Sequence, residues 1–512
     1  FFNFLTYSHS NILDLNKDSK NISNYFSGSV AFNNFDYITS KQYFDKFNKS
    51  EKDNQKLSSS FLKSLINLQK FNEAITYSKN LESKNLSNFE SLLFLGLKEF
   101  KNKNYIKAKF YFSELKPNFE NQLVFAPLKL SLINWSEIMI SNKVSDIKLL
   151  QSMPNNFGSF KSIQEVFAYC YFDNLDVDSK FKKNIENEGD KFYRYNFFYA
   201  NYLIEKNRKK EAASILESSA NKYPRNLLIN QLRENLEKNN KSKNKFSCQN
   251  SEDILAEIFY AFANALSVQK RFELSNLYIN FSKYLNSNFK SYDALLAENL
   301  LSLGKKIDSK KIFLKLFEIG SFYKWNSSKE IALIIEDLEG SEKSLIYLTN
   351  IYKNIDKNLY RTFDYANFLR GHDKFSESIT LYSEILSEIN KDHKMYPKVL
   401  DRRGTAYERN GEWTLAEKDL LLSLEIDPNQ AYTLNYLAYT WIEQNRKTEK
   451  ALSMLEKADN LKKNDGYITD SLGWAQYKLK NFSEAKFYLE RAIQMMPNDP
   501  IVNDHFADCL WM

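Results

Sequence analysis

Apolar residues recur three and four apart through most of the chain, and small residues carry a second, longer beat above that helical one. In "SLGWAQYKLKNFSEAKFYLERAIQMMPNDP" (471–500), Gly473 is followed by Ala485, Leu489, Ala492 and Pro497. Thirty-five residues earlier Ala438 takes the place of Gly473, with Ala451, Leu455 and Ala458 behind it. Thirty-four before that, Gly404 leads Tyr407, Ala416, Leu420 and Pro428. The beat continues upstream at Ser275, Ser309, Ser344 and Ser378, and again at Ser40, Ala74 and Ala108. Gly28 and Gly96 stand twelve residues before Ser40 and Ala108. One more copy surrounds Ala200, Ala212 and Pro224, and a degraded one covers 127–153.

A fixed beat of this length predicts helical hairpins. Antiparallel helices approach closely only where small faces small, so Gly473 is expected to meet Ala485, with Leu472 and Leu489 filling the space around them. Pro497 ends the second helix, since it has no N–H to donate. One hairpin cannot bury its own apolar face, so neighbours must stack. The expected fold is all-α, an α-α superhelix of about twelve hairpins.

The beat breaks between Ala212 and Ser275, a gap of 63 residues. Inside it, "ENLEKNNKSKNKFSCQN" has no apolar stripe and predicts a polar linker at 238–251 between two arrays, 21–237 and 252–512. The opening "FFNFLTYSHS" turns from apolar to small and polar at Ser8 and Ser10, which reads as a signal-peptide remnant within a lead-in of 1–20. The other reading is the first half of a packed helix. At the far end, "IVNDHFADCLWM" reads as the first helix of one further repeat, cut short at Met512.

Twelve Gly and eight Pro are about a third of average usage. Tight hairpins of strands and phosphate loops need Gly, so a large α/β catalytic domain is excluded. No G-x-G-x-x-G, P-loop, G-x-S-x-G or H-E-x-x-H motif occurs, and the expectation is a non-enzyme without cofactor. The net charge of +7 is spread along the chain, unlike the basic stripe of a nucleic-acid binder. Cys170, Cys248 and Cys509 are odd in number and far apart, so they read as buried or incidental thiols. The four histidines (His9, His372, His393, His505) lack metal-ligand spacing. No apolar run of about 18 residues is long enough to span a membrane.

The repeat resembles the tetratricopeptide superfamily over most of 21–512, best at 397–500, with Thr469 in the usual Trp position and Gln476 in the usual Tyr position. The stretch 435–493 followed by "HFADCLW" resembles the C-terminal half of large bacterial envelope repeat proteins. These include outer-membrane lipoproteins that act as adaptors for carboxyl-terminal processing proteases, although this sequence shows no lipobox Cys.

The resemblance implies a concave face lined by the first helix of each hairpin, at positions 2, 5, 9 and 12 of the unit. Those positions hold Tyr432, Asn435 and Tyr439, then Tyr467, Asp470, Trp474 and Tyr477. Upstream they hold Asp401, Thr405 and Glu408, and before those Asn367 and Arg370. Aromatic and Arg side chains dominate protein-binding energy; the competing reading is packing between helices. Asp470 opposes capture of a peptide carboxylate. The expected function is a non-catalytic scaffold or adaptor that binds proteins, a processing protease among them, in a bacterial periplasm or at its outer membrane. The alternatives are the repeat half of an enzyme such as a glycosyltransferase whose catalytic domain lies outside this sequence, and a cytoplasmic adaptor.

Overall fold

The computed structural model describes residues 12–46, 55–117, 122–144, 157–187 and 193–512, with short pieces between 147 and 153. The expected signal remnant at 1–10 lies outside the described residues, as does part of the degraded copy at 127–153. Among the described residues there are 27 helices and no strand. Eleven consecutive pairs pack as hairpins, while Gln122–Ser141, Leu227–Glu237, Ser321–Glu339, Ser341–Lys353 and Pro500–Trp511 stand outside such pairs.

The hairpins close without the glycines that such turns favour. Most first helices are followed by a residue with positive φ, and here that residue is Phe35, Gln69, Lys103, Asp173, Asn207, Lys270, Asp373, Asn445 or Lys480, with Gly at 304 and 411 and, after Ser321–Glu339, at 340. The backbone then bonds back across the turn, Asn104 N–H to the Glu99 carbonyl and Asn481 N–H to that of Gln476, each at 2.9 Å. First helices begin on side-chain caps where the sequence offers Asn or Asp, as at Asn358, Asp465 and Asp499.

The small-residue crossing exists, with one correction. A Cβ added at Gly473 would lie 2.7 Å from Leu489 Cγ, and one at Gly96 would lie 2.3 Å from Phe112 Cε1. The glycine therefore receives the large residue one turn beyond the expected Ala485. At two second helices that carry Ser, the hydroxyl bonds back to the first helix: Ser275 Oγ to the Ala263 carbonyl at 2.7 Å, and Ser309 Oγ to that of Ala297 at 2.8 Å.

Two compact units divide at Ile334/Ile335, whereas the sequence placed the boundary at 238–251. In the first unit the path curls back on itself. Helix Phe272–Leu285 packs against Gln55–Asn67, Asn280 Nδ2 donates to Asn67 Oδ1 at 3.1 Å, and Phe94 meets Tyr284 at 4.8 Å between ring centres. The second half of the segment 238–251 is tied to the fold through the buried Asn244, Phe246, Cys248 and Ser251. Phe246 is buried among Phe167, Phe198 and Phe289. Lys245 N–H donates to the Asn288 carbonyl, Asn201 Nδ2 to that of Phe246, and Ser291 N–H to Asn244 Oδ1. The Asn244 and Ser247 side chains bond to Ser291 and Glu205 of neighbouring repeats, so a polar composition there marks a tie.

Cys170 and Cys248 form a disulfide across 78 residues, which corrects the reading of all three cysteines as thiols; Cys509 is buried and free. Closing so long a loop restricts the unfolded chain. The Cys170→Ser, Cys248→Ser double variant should lose about 2–4 kcal/mol of stability in the first unit. Trypsin should then cut it after Lys245 far sooner than the oxidised parent. Equal digestion rates, followed by mass spectrometry, would show that the disulfide does not hold the segment down.

Candidate functional site

In the second unit the first helices are Leu359–Gly371, Tyr396–Arg409, Ala431–Glu443 and Gly466–Lys478, followed by Pro500–Trp511. Neighbouring first helices pack on one another more closely than neighbouring second helices do, so their shared face is the inner one. Polar bonds stitch that face from repeat to repeat. Thr433 Oγ1 donates to Asp401 Oδ1 at 2.8 Å, and the Tyr436 hydroxyl to Glu408 Oε2 at 2.5 Å. Trp474 Nε1 donates to Glu443 Oε1 at 2.6 Å, and His505 Nδ1 lies 3.0 Å from Asp470 Oδ2.

These stitches engage much of the residue set expected from the sequence. Asp401, Thr405, Asp470 and Trp474 are buried, and Glu408 is held by Tyr436. Trp474 is sandwiched between His505 at 4.0 Å and Tyr477 at 4.8 Å, both rings nearly parallel to it. Asn367 accepts from the Tyr382 hydroxyl at 3.0 Å and donates to the Phe363 carbonyl at 2.7 Å. Arg370 faces Tyr382, whose phenol is pushed up to about 12, chiefly by burial.

What the helices leave open is a narrower set. Tyr432 and Tyr467 are 55% and 60% exposed. They share position 2 of successive units, which Ile501, 59% exposed, continues. Tyr432 is steadied by Lys462 over its ring and by its hydroxyl bond to Asp465 Oδ2 at 2.9 Å. Between these edges lie the half-buried Asn435 and Tyr439. Asn435 Oδ1 is buried and accepts no hydrogen bond from a described residue. The repeat frame missed Tyr436, Glu443 and His505, although His505 stands 35 residues after Asp470. Among the described residues, no group of His, Cys, Asp and Glu could hold a metal ion. No helix there is long and apolar enough to cross a membrane.

The first unit has its own groove of about 1140 Å³, lined by Tyr25, Phe32, Phe110 and Tyr111 among others. On its floor Lys63 Nζ lies 3.5 Å from Glu90 Oε1. No periodic signal in the sequence pointed to it.

No family model matches the chain. The TPR repeat-containing protein PA4667 of Pseudomonas aeruginosa is 32% identical over 116 residues, which cover 22% of this chain and 20% of that protein. Over that stretch the chain is similar to a tetratricopeptide repeat protein. It spans only about a fifth of that curated relative. Among solved structures, the Cut9 and Hcn1 hetero-tetramer of the APC/C matches 97% of this chain and 91% of its own, at 11% identity and a TM-score of 0.38. The C-terminal part of a tetratricopeptide protein from Cytophaga hutchinsonii covers 48% of this chain and 98% of its own, at 15% identity and a TM-score of 0.32.

Proposed function

We propose that this chain is a non-catalytic tetratricopeptide scaffold whose second unit binds a partner protein along the inner face of its first helices. The observation that carries the reading is the exposed pair Tyr432 and Tyr467 at equivalent places in adjacent repeats, where the neighbouring polar groups are already bonded to one another. Large aromatic rings left in solvent at a regular spacing cost the fold little to lose, yet they are the type that anchors interfaces. The Cys170–Cys248 disulfide supports an oxidising compartment, as the bacterial periplasm is. There the chain would serve as an envelope adaptor, with a carboxyl-terminal processing protease as its expected partner.

The test is capture from bacterial envelope extract by the parent and by the Tyr432→Ala, Tyr467→Ala double variant, with melting curves for both. Each substitution should weaken capture by on the order of 2 kcal/mol, while surface changes of this kind shift stability by only about 0.5 kcal/mol. A variant that melts like the parent and captures the same proteins to the same extent would overturn the assignment of this face.

A further inference from the structure

The chain as a whole is basic, with a net charge of +7, yet the inner face of its last repeats has the opposite sign. Around Tyr439 stand Glu443, one turn along the same helix, and Asp470 on the next first helix. These two carboxylates add to burial in pushing the Tyr439 phenol up to about 12. Asp504 and Asp508 take the register places of Asp470 and Trp474 on the following helix, and both are exposed. The basic groups nearby are Lys478, 3.7 Å from Glu443 Oε1 and 5.0 Å over the Trp474 ring, and His505, which holds Asp470. Others are Lys462, which pairs with Asp465 beside Tyr432, and Arg370 and Arg409, which act on Tyr436. Asn435 Oδ1 adds a buried acceptor with no donor among the described residues. Acceptors and aromatic faces, both of which attract cations, therefore outnumber donors along this strip.

Resting on the scaffold reading above, we infer that the strip from Asn435 to Asp508 takes an extended segment of a partner protein that bears lysine or arginine. Its cations meet Glu443, Asp504 and Asp508, and its apolar residues lie against Tyr439 and Tyr467. Charge complementarity selects this occupant: an acidic segment would place like charges together, which interfaces avoid.

The probe is a fluorescent peptide alternating arginine, leucine and serine, compared with one in which glutamate replaces each arginine, titrated with the full chain. The arginine peptide should bind at least about tenfold more tightly. Asp504→Lys with Asp508→Lys should weaken it by about tenfold. The control reversals Glu456→Lys and Glu490→Lys, on exposed positions of second helices, should leave binding unchanged. Equal affinity for both peptides, no binding of either, or equal losses in the two reversal variants would overturn the inference. If the arginine peptide fails while the Tyr432, Tyr467 variant still loses its captured protein, the scaffold reading stands and the cationic partner falls. If both fail, both fall.

Discussion

Arg194→Met should destabilise the first unit by about 3–5 kcal/mol, because it strands a buried carboxylate. Arg194 Nε and Nη2 donate to Glu257 Oε1 and Oε2 at 2.6 and 3.0 Å, and Glu257 is 1% exposed. The guanidinium lies 4.1 Å from the centre of the Tyr260 ring. Burial raises the Glu257 carboxyl above its ordinary value, and Arg194 opposes that shift. Without the arginine the opposing charge is gone, so folding favours the protonated acid. A carboxyl raised in the folded state adds most to stability at low pH and loses that contribution as pH rises through its folded value. The deficit of the variant, read from urea denaturation, should therefore shrink on acidification. Adding Glu257→Met should restore most of the loss, since replacing a whole buried pair by apolar groups is often neutral. Arg194→Lys should recover only part, because an ammonium cannot pair through both oxygens in the same plane. A double variant no better than the single one would mean that packing of Arg194 on the aromatic rings sets the cost.

Trp474→Ala should cost the second unit about 3–5 kcal/mol and expose His505 to solvent. The indole is 8% exposed, stacked on both sides, and bonded through its N–H to Glu443. Helix Pro500–Trp511 leans on it through His505, so loosening should spread to that helix first. Melting followed by circular dichroism, together with hydrogen exchange over 500–511, would read the effect. Trp474→Phe should keep most of the stacking and lose about 1 kcal/mol for the missing hydrogen bond. An unchanged melt with lost capture would instead make Trp474 a binding anchor. Of the two adjacent position-9 rings, the structure puts Trp474 with the packing and leaves Tyr439 half open.

The hairpins were legible because the crossing at Gly473, Gly404 and Gly96 admits only small residues, and their spacing records the length of one hairpin. The closure of the first unit was not legible from the beat, although helix Phe272–Leu285 shows Leu274, Leu277, Tyr278, Ile279, Phe281 and Leu285 on every side, and all are buried. A helix apolar all round is covered all round. The segment at 238–251 misled because Asn and Ser look alike whether they face water or bond to a neighbouring backbone. For the inner face, register assigns Tyr432 and Tyr467 one equivalent place along their helices and Tyr439 and Trp474 another. It could not tell which of them a neighbouring repeat already holds, since that depends on side chains 28 to 35 residues away.

The stitches also limit how this chain can have changed length. Three successive seams join different chemical groups: a threonine to an aspartate and a tyrosine to a glutamate at the first, an indole to a glutamate at the second, an imidazole to an aspartate at the third. A duplicated or deleted unit would bring together donors and acceptors that do not match, and would leave a carboxylate at the break without its partner. These repeats are therefore not interchangeable copies. Their order is written into the seams, and growth by simple duplication is closed to this part of the molecule.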